Sequence, residues 1–278
     1  MSPITAMLAV LFAILAAPAA AQDTPDIEMW RLACGSLLIS DSESFSDTHL
    51  YDGQPRELTD SCYLIRNADK YLLWDTGLPG QLAGSKQTSG VYTISLERSV
   101  ADQLDDLGLT PADIDYVGIS HYHFDHIGQL ASFTNSTLLI GKDDLDALKS
   151  SGRDSGIDST PFASWLSGSS KTDAISGDKD VFGDGSVQMI AAPGHTPGHH
   201  ALLVRLPKTG TIMLTGDLYH FEAQIENRGV PQFNTDRADT LASMDRFDRM
   251  ADNLSATIVI QHDPRHLTRL PAFPESAK

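Results

Sequence analysis

Four side chains that can bind metal stand close together near the middle of the sequence, directly after a short apolar stretch. They are His121, His123, Asp125 and His126. Neutral imidazole nitrogens and carboxylate oxygens are ligands that zinc takes in proteins, at about 2.0 to 2.2 Å. Alternate positions of an extended segment point the same way, so His121 and His123 can share one metal, while Asp125 and His126 are displaced toward a second. The spacing therefore predicts two adjacent metal sites.

Three further donors occur later in the chain, each in a turn-rich stretch at the end of a predicted strand: His195, Asp217 and His262. Ligands delivered from several strand ends to one edge are how a layered α/β protein builds a site from distant parts of its sequence. Six terminal ligands and one bridging carboxylate would leave each of two metals with an open position. An open position is typical of a catalytic rather than a structural metal site.

The segment at 121–126 resembles the His-x-His-x-Asp-His signature of the metallo-β-lactamase fold hydrolases. The resemblance is closer to the N-acyl homoserine lactonase branch, and it extends to the stretches at 73–77, 193–199, 216–220 and 261–264. It implies an α/β protein built as a four-layer αββα sandwich. It also implies a hydrolase that opens the lactone ring of N-acyl homoserine lactones, as in quorum quenching, with two Zn²⁺ ions as cofactors.

The same resemblance implies a role for each donor. The first zinc takes His121, His123 and His195, the second takes Asp125, His126 and His262, and Asp217 bridges both. The donors also accept manganese, iron or cobalt, so the native metal stays open. Asp125 or a metal-bound water is expected to protonate the leaving alkoxide.

A substrate-contacting residue is expected shortly after the bridging carboxylate. In the family a tyrosine three residues after the bridging aspartate contacts the substrate carbonyl, but His220 holds that position here and Tyr219 precedes it. Either side chain can donate a hydrogen bond to a developing oxyanion, and position favours His220. Asp75 is expected to support the site or a turn, and His199 and His200 to be supporting or ordinary polar residues.

The elements that must position these residues alternate along the chain. Strands are predicted at 29–39, 61–74, 116–120, 137–140, 187–192, 201–206, 211–215 and 257–260, and helices at 96–107, 142–149 and 237–251. This interleaving favours α/β layering over a pure sandwich or bundle. Residues 150–180, rich in Ser, Gly and Asp, are predicted to form a loop excursion or lid.

The N-terminus and the charge limit the compartment and the partners. Residues 1–21 carry no charged side chain and combine an apolar run with an Ala-x-Ala site before Gln22, which predicts a secretory signal peptide and leaves 22–278 as a single catalytic domain. We therefore expect a periplasmic or secreted protein without stable membrane association. The formal charge of -17 would repel phosphate backbones, so nucleic acid is not an expected partner.

Several alternatives stay open at this point. Cys34 and Cys62 form either a disulfide or two buried thiols, and the oligomeric state is open. The partner is a small-molecule lactone or ester. A promiscuous exported hydrolase of β-lactams or of aryl and carboxyl esters is the first rival, although the β-lactamase branches carry cysteine or serine where Asp217 stands. The second rival is a non-catalytic periplasmic metal or signal binder. Aromatic residues that could line an acyl pocket are Phe162, Trp165, Phe221 and Phe233.

Overall fold

The computed structural model of the protein describes residues 26–150 and 157–278, which contain thirteen strands and six α-helices. The strands are β1 (Ile27–Ile39), β2 (Arg56–Asn67), β3 (Lys70–Trp74), β4 (Ser85–Ser89), β5 (Tyr92–Leu96), β6 (Tyr116–Gly118), β7 (Thr137–Gly141), β8 (Thr172–Ile175), β9 (Lys179–Asp180), β10 (Val187–Ala191), β11 (His200–Leu206), β12 (Gly210–Leu214) and β13 (Thr257–Val259). The helices are α1 (Val100–Asp106), α2 (Phe124–Ile127), α3 (Lys142–Ser150), α4 (Ala163–Leu166), α5 (Ala223–Asn227) and α6 (Arg237–Leu254).

These strands form two mixed sheets. The eight-stranded sheet has the order β4-β5-β1-β2-β3-β6-β7-β8, and the five-stranded sheet has the order β13-β12-β11-β10-β9. Strands β3, β6, β7 and β8 run parallel to one another, and β12 runs parallel to β13. Parallel strands deliver their carboxyl ends to the same edge of a sheet, so the segments that follow β6, β12 and β13 can meet.

The core confirms the four-layer αββα arrangement. Along β2, Tyr63 packs into the apolar layer between the sheets, while Leu64 packs on the opposite face against the helices α1 and α3. This alternation follows from the two-residue period of a strand. On the other sheet, Leu202 faces the central layer, and Leu203 packs outward against Phe247 of α6. Helices therefore cover both outer faces.

The predicted helix at 96–107 is shorter in the structure. Ser99 caps α1, since its hydroxyl accepts a hydrogen bond from the Asp102 amide and the Asp102 carboxylate accepts one from the Ser99 amide. This reciprocal cap starts the helix at Val100 and leaves Leu96 as the last residue of β5. The sequence did not predict β4, because this exposed strand contains only polar residues. It did not predict β5 either, and Leu96 at its end was assigned to the helix.

The predicted loop excursion at 150–180 is wrong for the part that the structure describes, from residue 157 onward. This part contains α4, and its strands β8 and β9 extend the two sheets. Phe162 and Trp165 are buried in the core next to α1 and α3 rather than near a substrate pocket. A few buried apolar side chains are enough to anchor the segment, although Ser, Gly and Asp dominate its composition.

The two cysteines form a disulfide, which settles the alternative left open by the sequence. The predicted signal peptide at 1–21 lies outside the described residues. Every helix in the described ranges is too short or too polar to cross a membrane.

Candidate metal centre

The seven predicted donors meet at one edge of the two sheets. His121 and His123 follow β6, and Asp125 and His126 lie in the short helix α2. The other three follow strands of the smaller sheet: His195 comes after β10, Asp217 after β12 and His262 after β13. Six of the seven are buried, and His123 is partly exposed.

The donor atoms form two groups that share one carboxylate. The first group contains His121, His123, His195 and Asp217, and the second contains Asp125, His126 and His262; within each group the donor atoms lie within 4.8 Å of one another. Asp217 Oδ2 faces His121 Nε2 at 3.5 Å and His195 Nε2 at 3.2 Å. Asp217 Oδ1 faces His126 Nε2 at 3.1 Å and His262 Nε2 at 2.9 Å. The carboxylate therefore stands between the two groups, where a bridging ligand must be.

The spacing of the donors fits a tetrahedral metal. His195 Nε2 lies 3.1 Å from His121 Nε2 and 2.9 Å from His123 Nδ1. His126 Nε2 and His262 Nε2 are 3.2 Å apart. Ligand atoms that share a tetrahedral zinc at its usual bond lengths are about 3.3 Å apart. The observed distances are close to this value in both groups.

The far side of each ring fixes where its proton lies. His262 Nδ1 is 2.8 Å from the Thr59 carbonyl and His126 Nδ1 is 2.9 Å from Asp75 Oδ2, and both oxygens can only accept. His195 Nδ1 lies 2.8 Å from Asn234 Oδ1. A proton on each Nδ1 leaves the Nε2 lone pair directed at the centre. Lone pairs that converge on a carboxylate require a cation among them, so the donor set fits a bound metal.

The electrostatics of the two donor groups differ. Burial lowers the pKa of His121 and of His123 well below the ordinary imidazole value, which keeps these rings neutral, as metal ligands must be. Burial also lowers the pKa of His262, but the Asp217 carboxylate outweighs it and raises that pKa to about 9. Burial opposes ionisation of Asp217, yet the surrounding imidazoles, His126 first, hold its pKa well below the usual range. The second group therefore stabilises a proton or a metal cation.

Asp75 anchors this side of the site, as expected for a supporting residue. Its fully buried carboxylate accepts hydrogen bonds from the Ser120 amide at 2.7 Å and the Ser120 hydroxyl at 2.9 Å. It also accepts one from Gln261 Nε2 at 2.9 Å, besides the bond from His126. Because Ser120 Oγ donates to Asp75, it accepts from His121 Nδ1 at 3.0 Å. One carboxylate thus orients a histidine of each group.

A glycine turn holds His195. Gly194 has a φ of +132°, and a Cβ there would overlap the backbone of Thr240 at the start of α6, so only glycine fits. Asn234, whose Oδ1 accepts from the His195 ring, is itself held because its Nδ2 donates to Thr240 Oγ1 at 3.0 Å. This residue was not predicted from the sequence. His199 Nε2 accepts a hydrogen bond from the Asp217 amide at 2.9 Å, so it supports the segment that carries the Asp217 carboxylate.

The structure separates the two candidates for substrate contact. The Tyr219 hydroxyl lies 3.0 Å from Asp248 Oδ2 and accepts from Arg228 at 2.9 Å, beside α6 and away from the donors. The prediction that Tyr219 contacts substrate is therefore corrected. His220 faces the site, with Nε2 3.1 Å from Asp217 Oδ2 and its ring stacked on His262. Tyr219 has extended backbone, and adjacent extended residues point to opposite sides.

A pocket of about 290 Å³ opens onto the donors. Its apolar walls are Leu37, Phe45, Leu58, Tyr92, Phe124 and Phe233. His220 and four of the seven donors, His123, Asp125, Asp217 and His262, also line it. Of the aromatic residues predicted to line such a pocket, Phe233 does so, whereas Phe221 packs into a buried cluster with Tyr51. Larger concavities occur on the surface, but this one joins apolar walls to the reactive groups.

Comparison with known proteins gives consistent matches. The family model described as the metallo-beta-lactamase superfamily matches residues 56–262. The N-acyl homoserine lactonase AttM of Rhizobium radiobacter is 32% identical over 194 residues, which cover 64% of this chain and 69% of that protein. The N-acyl homoserine lactonase AiiA of Bacillus thuringiensis subsp. kurstaki is 26% identical over 222 residues, covering 77% of this chain and 85% of that protein.

Solved structures agree with these matches. An N-acyl homoserine lactone hydrolase, with the product N-hexanoyl-L-homoserine bound at its catalytic metal center, superposes with a TM-score of 0.75 and 25% identity. The superposition covers 90% of this chain and 98% of that one.

Proposed function

The chain belongs to the metallo-beta-lactamase superfamily and is a metal-dependent hydrolase, and from this premise we propose that it opens the lactone ring of N-acyl homoserine lactones on two Zn²⁺ ions. The observation that carries the proposal is the apolar pocket of about 290 Å³ that ends at the donor groups. A lactone with an acyl chain has the matching shape, with an apolar tail and a carbonyl at one end. The named lactonases among the relatives support the same substrate class.

The metal donors would hold the two ions in separate sets joined by Asp217. Bound zinc would supply Lewis acidity for the carbonyl and lower the pKa of water toward neutrality. The protein orients the donors through Asp75, Ser120 and Asn234, which fix the imidazole tautomers. Such orientation removes the cost of rearranging ligands during turnover.

His220 is positioned to donate a hydrogen bond from Nε2 that a substrate carbonyl would share with the Asp217 carboxylate. Its ring lines the pocket, its Nε2 reaches the bridging carboxylate, and Phe45 packs edge-on against it at 5.1 Å between ring centroids. Packing on two sides holds the ring in one orientation, as a preorganised donor requires. Asp125 also lines the pocket and belongs to the second group, where its carboxylate can take the proton that the attacking water loses and pass it to the leaving alkoxide.

The acyl chain would extend along the apolar walls away from the donors. Leu37, Leu58 and Tyr92 line the pocket together with Phe124 and Phe233, whose side chains are half-exposed. Exposing two phenylalanine rings to water is unfavourable. An acyl chain that covers them would bury this apolar surface, which favours binding.

The test is a substrate panel on protein whose metal content has been measured. We expect kcat/KM for acyl homoserine lactones to exceed that for β-lactams and aryl esters, and a chelator to abolish turnover. Comparable rates on all three classes would reduce the proposal to a broad hydrolase, and absence of turnover on metal-loaded protein would favour a binding function.

The His220 role has its own variants. We expect His220→Ala to lower kcat by about 100- to 1000-fold, the usual cost of losing one oxyanion donor. Zinc content should stay at two ions per chain. His220→Gln, which retains an N–H donor, should recover part of the rate. An unchanged kcat in His220→Ala would remove His220 from the mechanism.

We also propose export of the mature chain to the periplasm or the medium. The leader-like residues 1–21 support it, and so does the disulfide, because disulfides persist in oxidising compartments. Fractionation of cells that express the full chain, followed by N-terminal sequencing, tests this, and an uncleaved cytosolic product would contradict it.

A further inference from the structure

The disulfide lies beneath the metal centre, at an irregular point of the sheet. Both cysteine side chains are fully buried. The β1–β2 register shifts between Ala33 and Gly35, so that Cys34 has no Cα partner in the ladder. A bulge of this kind re-aims a backbone group that would otherwise pair within the sheet. Here the Cys34 carbonyl accepts a hydrogen bond from the Leu78 amide at 3.0 Å.

Residues 75–78, which we call the shelf, lie between this disulfide and helix α2. Gly77 rests directly on Cys34, and a Cβ at Gly77 would overlap the Cβ and the carbonyl of Cys34. On the other side of the shelf, the Thr76 amide donates to the His126 carbonyl at 2.7 Å, and the Thr76 hydroxyl donates to it at 3.0 Å. The helix that carries Asp125 and His126 is therefore hydrogen-bonded to the shelf, and the shelf packs against Cys34 of the disulfide.

The other half of the disulfide belongs to the strand that holds His262. Cys62 lies in β2, three residues after Thr59. The Thr59 carbonyl accepts from His262 Nδ1 at 2.8 Å, and the Thr59 amide donates to the His262 carbonyl at 3.0 Å. In the same strand, the Ser61 carbonyl accepts from Gln261 Nε2 at 3.0 Å. The disulfide thus joins the two supports of the second metal group: the shelf under Asp125 and His126, and β2 behind His262.

The first metal group has other supports. His195 is held by Asn234 and by the turn at Gly194, which packs on α6. The buried Asp144 carboxylate accepts from the Thr196 hydroxyl at 2.8 Å and the Gly198 amide at 2.6 Å, and so fixes the same loop from α3. His126 bonds directly to Asp75 of the shelf, whereas His121 Nδ1 contacts Ser120 Oγ, which in turn donates to Asp75.

From this asymmetry we infer that the Cys34–Cys62 disulfide positions the second metal group, so that Asp125, His126 and His262 bind their metal tightly only when the two cysteines are joined. The first group binds its metal without that link. This inference rests on the proposed metal centre but not on the identity of the substrate. It gives the protein a second metal site that is completed in an oxidising compartment.

The test is a Zn²⁺ titration of the full chain against a chromophoric chelator, which resolves the first and second equivalents. We compare wild type with the double variant Cys34→Ala/Cys62→Ala. The second equivalent should bind about 10- to 100-fold more weakly in the variant, the usual effect of disturbing groups that orient metal ligands, with the first unchanged. The matched control is Val204→Ala, a truncation in the buried layer between the sheets, which should leave both equivalents as in wild type.

Selectivity between the equivalents decides the outcome, because a merely structural disulfide would not distinguish them. The inference is overturned if the folded double variant binds both Zn²⁺ equivalents equally more weakly, or if it binds both with wild-type affinity. If the double variant does not fold, Thr76→Val takes its place, since it keeps the disulfide and removes the hydroxyl bond to the His126 carbonyl. A selective loss of the second equivalent is again expected, and wild-type affinity overturns the inference. The lactone panel is scored separately, so failure of the substrate proposal leaves these titrations interpretable.

Discussion

Replacing Asp75 by asparagine should weaken the second metal site, because this one carboxylate serves four hydrogen-bond donors. Oδ1 accepts the Ser120 amide at 2.7 Å. Oδ2 accepts the Ser120 hydroxyl, His126 Nδ1 and Gln261 Nε2, each at 2.9 Å. Asparagine keeps one oxygen and turns the other into an NH₂ group. The donors that now bond either Oδ1 or Oδ2 must therefore face this NH₂ group, which is itself a donor.

Either orientation of the new amide has a predictable cost. With NH₂ in place of Oδ1, the buried Ser120 N–H loses its acceptor, which costs about 1–3 kcal/mol of unfolding free energy. With NH₂ in place of Oδ2, His126 must move its proton from Nδ1 to Nε2, and the lone pair directed at the metal is lost. We therefore expect a loss of stability, or a loss of about 10- to 100-fold in affinity for the second zinc.

Two measurements distinguish these outcomes. Urea unfolding of the metal-free protein reports the first cost, and Zn²⁺ titration with a competing chelator reports the second. The control is Asp115→Asn, because Asp115 also accepts a backbone amide, from Tyr71 at 2.9 Å, and lies at the opposite end of β6. It should lose stability without losing metal. An Asp75→Asn protein with wild-type stability and wild-type affinity for both zinc ions would refute the reasoning.

Three further predictions follow from single side chains. Asp217→Asn should loosen both ions, and full zinc stoichiometry with full turnover would contradict the bridging role. Tyr219→Phe should keep kcat and KM, and it should lose about 0.5–1.5 kcal/mol of unfolding free energy for the bonds to Asp248 and Arg228. Burial raises the pKa of Asp144 to about 7, so between about pH 4 and 7 the folded chain keeps a proton that the unfolded chain has released. Stability of the metal-free protein should therefore fall as pH rises through this window, by up to about 1.4 kcal/mol per unit, and Asp144→Asn should flatten the slope in urea unfolding.

Local patterns predicted the donor residues and the supporting Asp75, but not the remaining supports. His121, His123, Asp125 and His126 are recognisable because they stand within six residues of one another. The supports come from distant positions, as when Asn234 reaches His195 or the Thr59 carbonyl reaches His262. A backbone carbonyl has no identity in a sequence, and a single asparagine in a loop has many possible roles. These partners appear only when the chain is folded.

The errors in the fold have a similar origin. Most of the predicted strands and the helix α6 lie close to their observed bounds, because long apolar periods are read directly from sequence. The single strand predicted at 61–74 is wrong, because β2 ends at Asn67 and a turn at 68–69 leads into the antiparallel β3. Strand β4 was missed because its residues are all polar and exposed, so pairing with β5 rather than burial makes it a strand. Strand β8 was missed because its place beside β7 depends on anchors such as Phe162 and Trp165, which looked isolated in a polar segment.

The choice between Tyr219 and His220 shows why a family position is more informative than residue type. Tyrosine is the usual donor in the lactonases, and Tyr219 is only one place away, yet the extended backbone after Asp217 turns its hydroxyl toward Asp248. In this chain the position three residues after Asp217 faces the pocket. An imidazole there is shorter than a phenol and stacks on His262, so the donor stays next to Asp217 instead of reaching across the pocket. If His220 binds the substrate carbonyl as proposed, that carbonyl would lie nearer the Asp217 carboxylate than one bound to a tyrosine. We therefore expect His220→Tyr to lower kcat relative to wild type, and an unchanged kcat would contradict this reasoning.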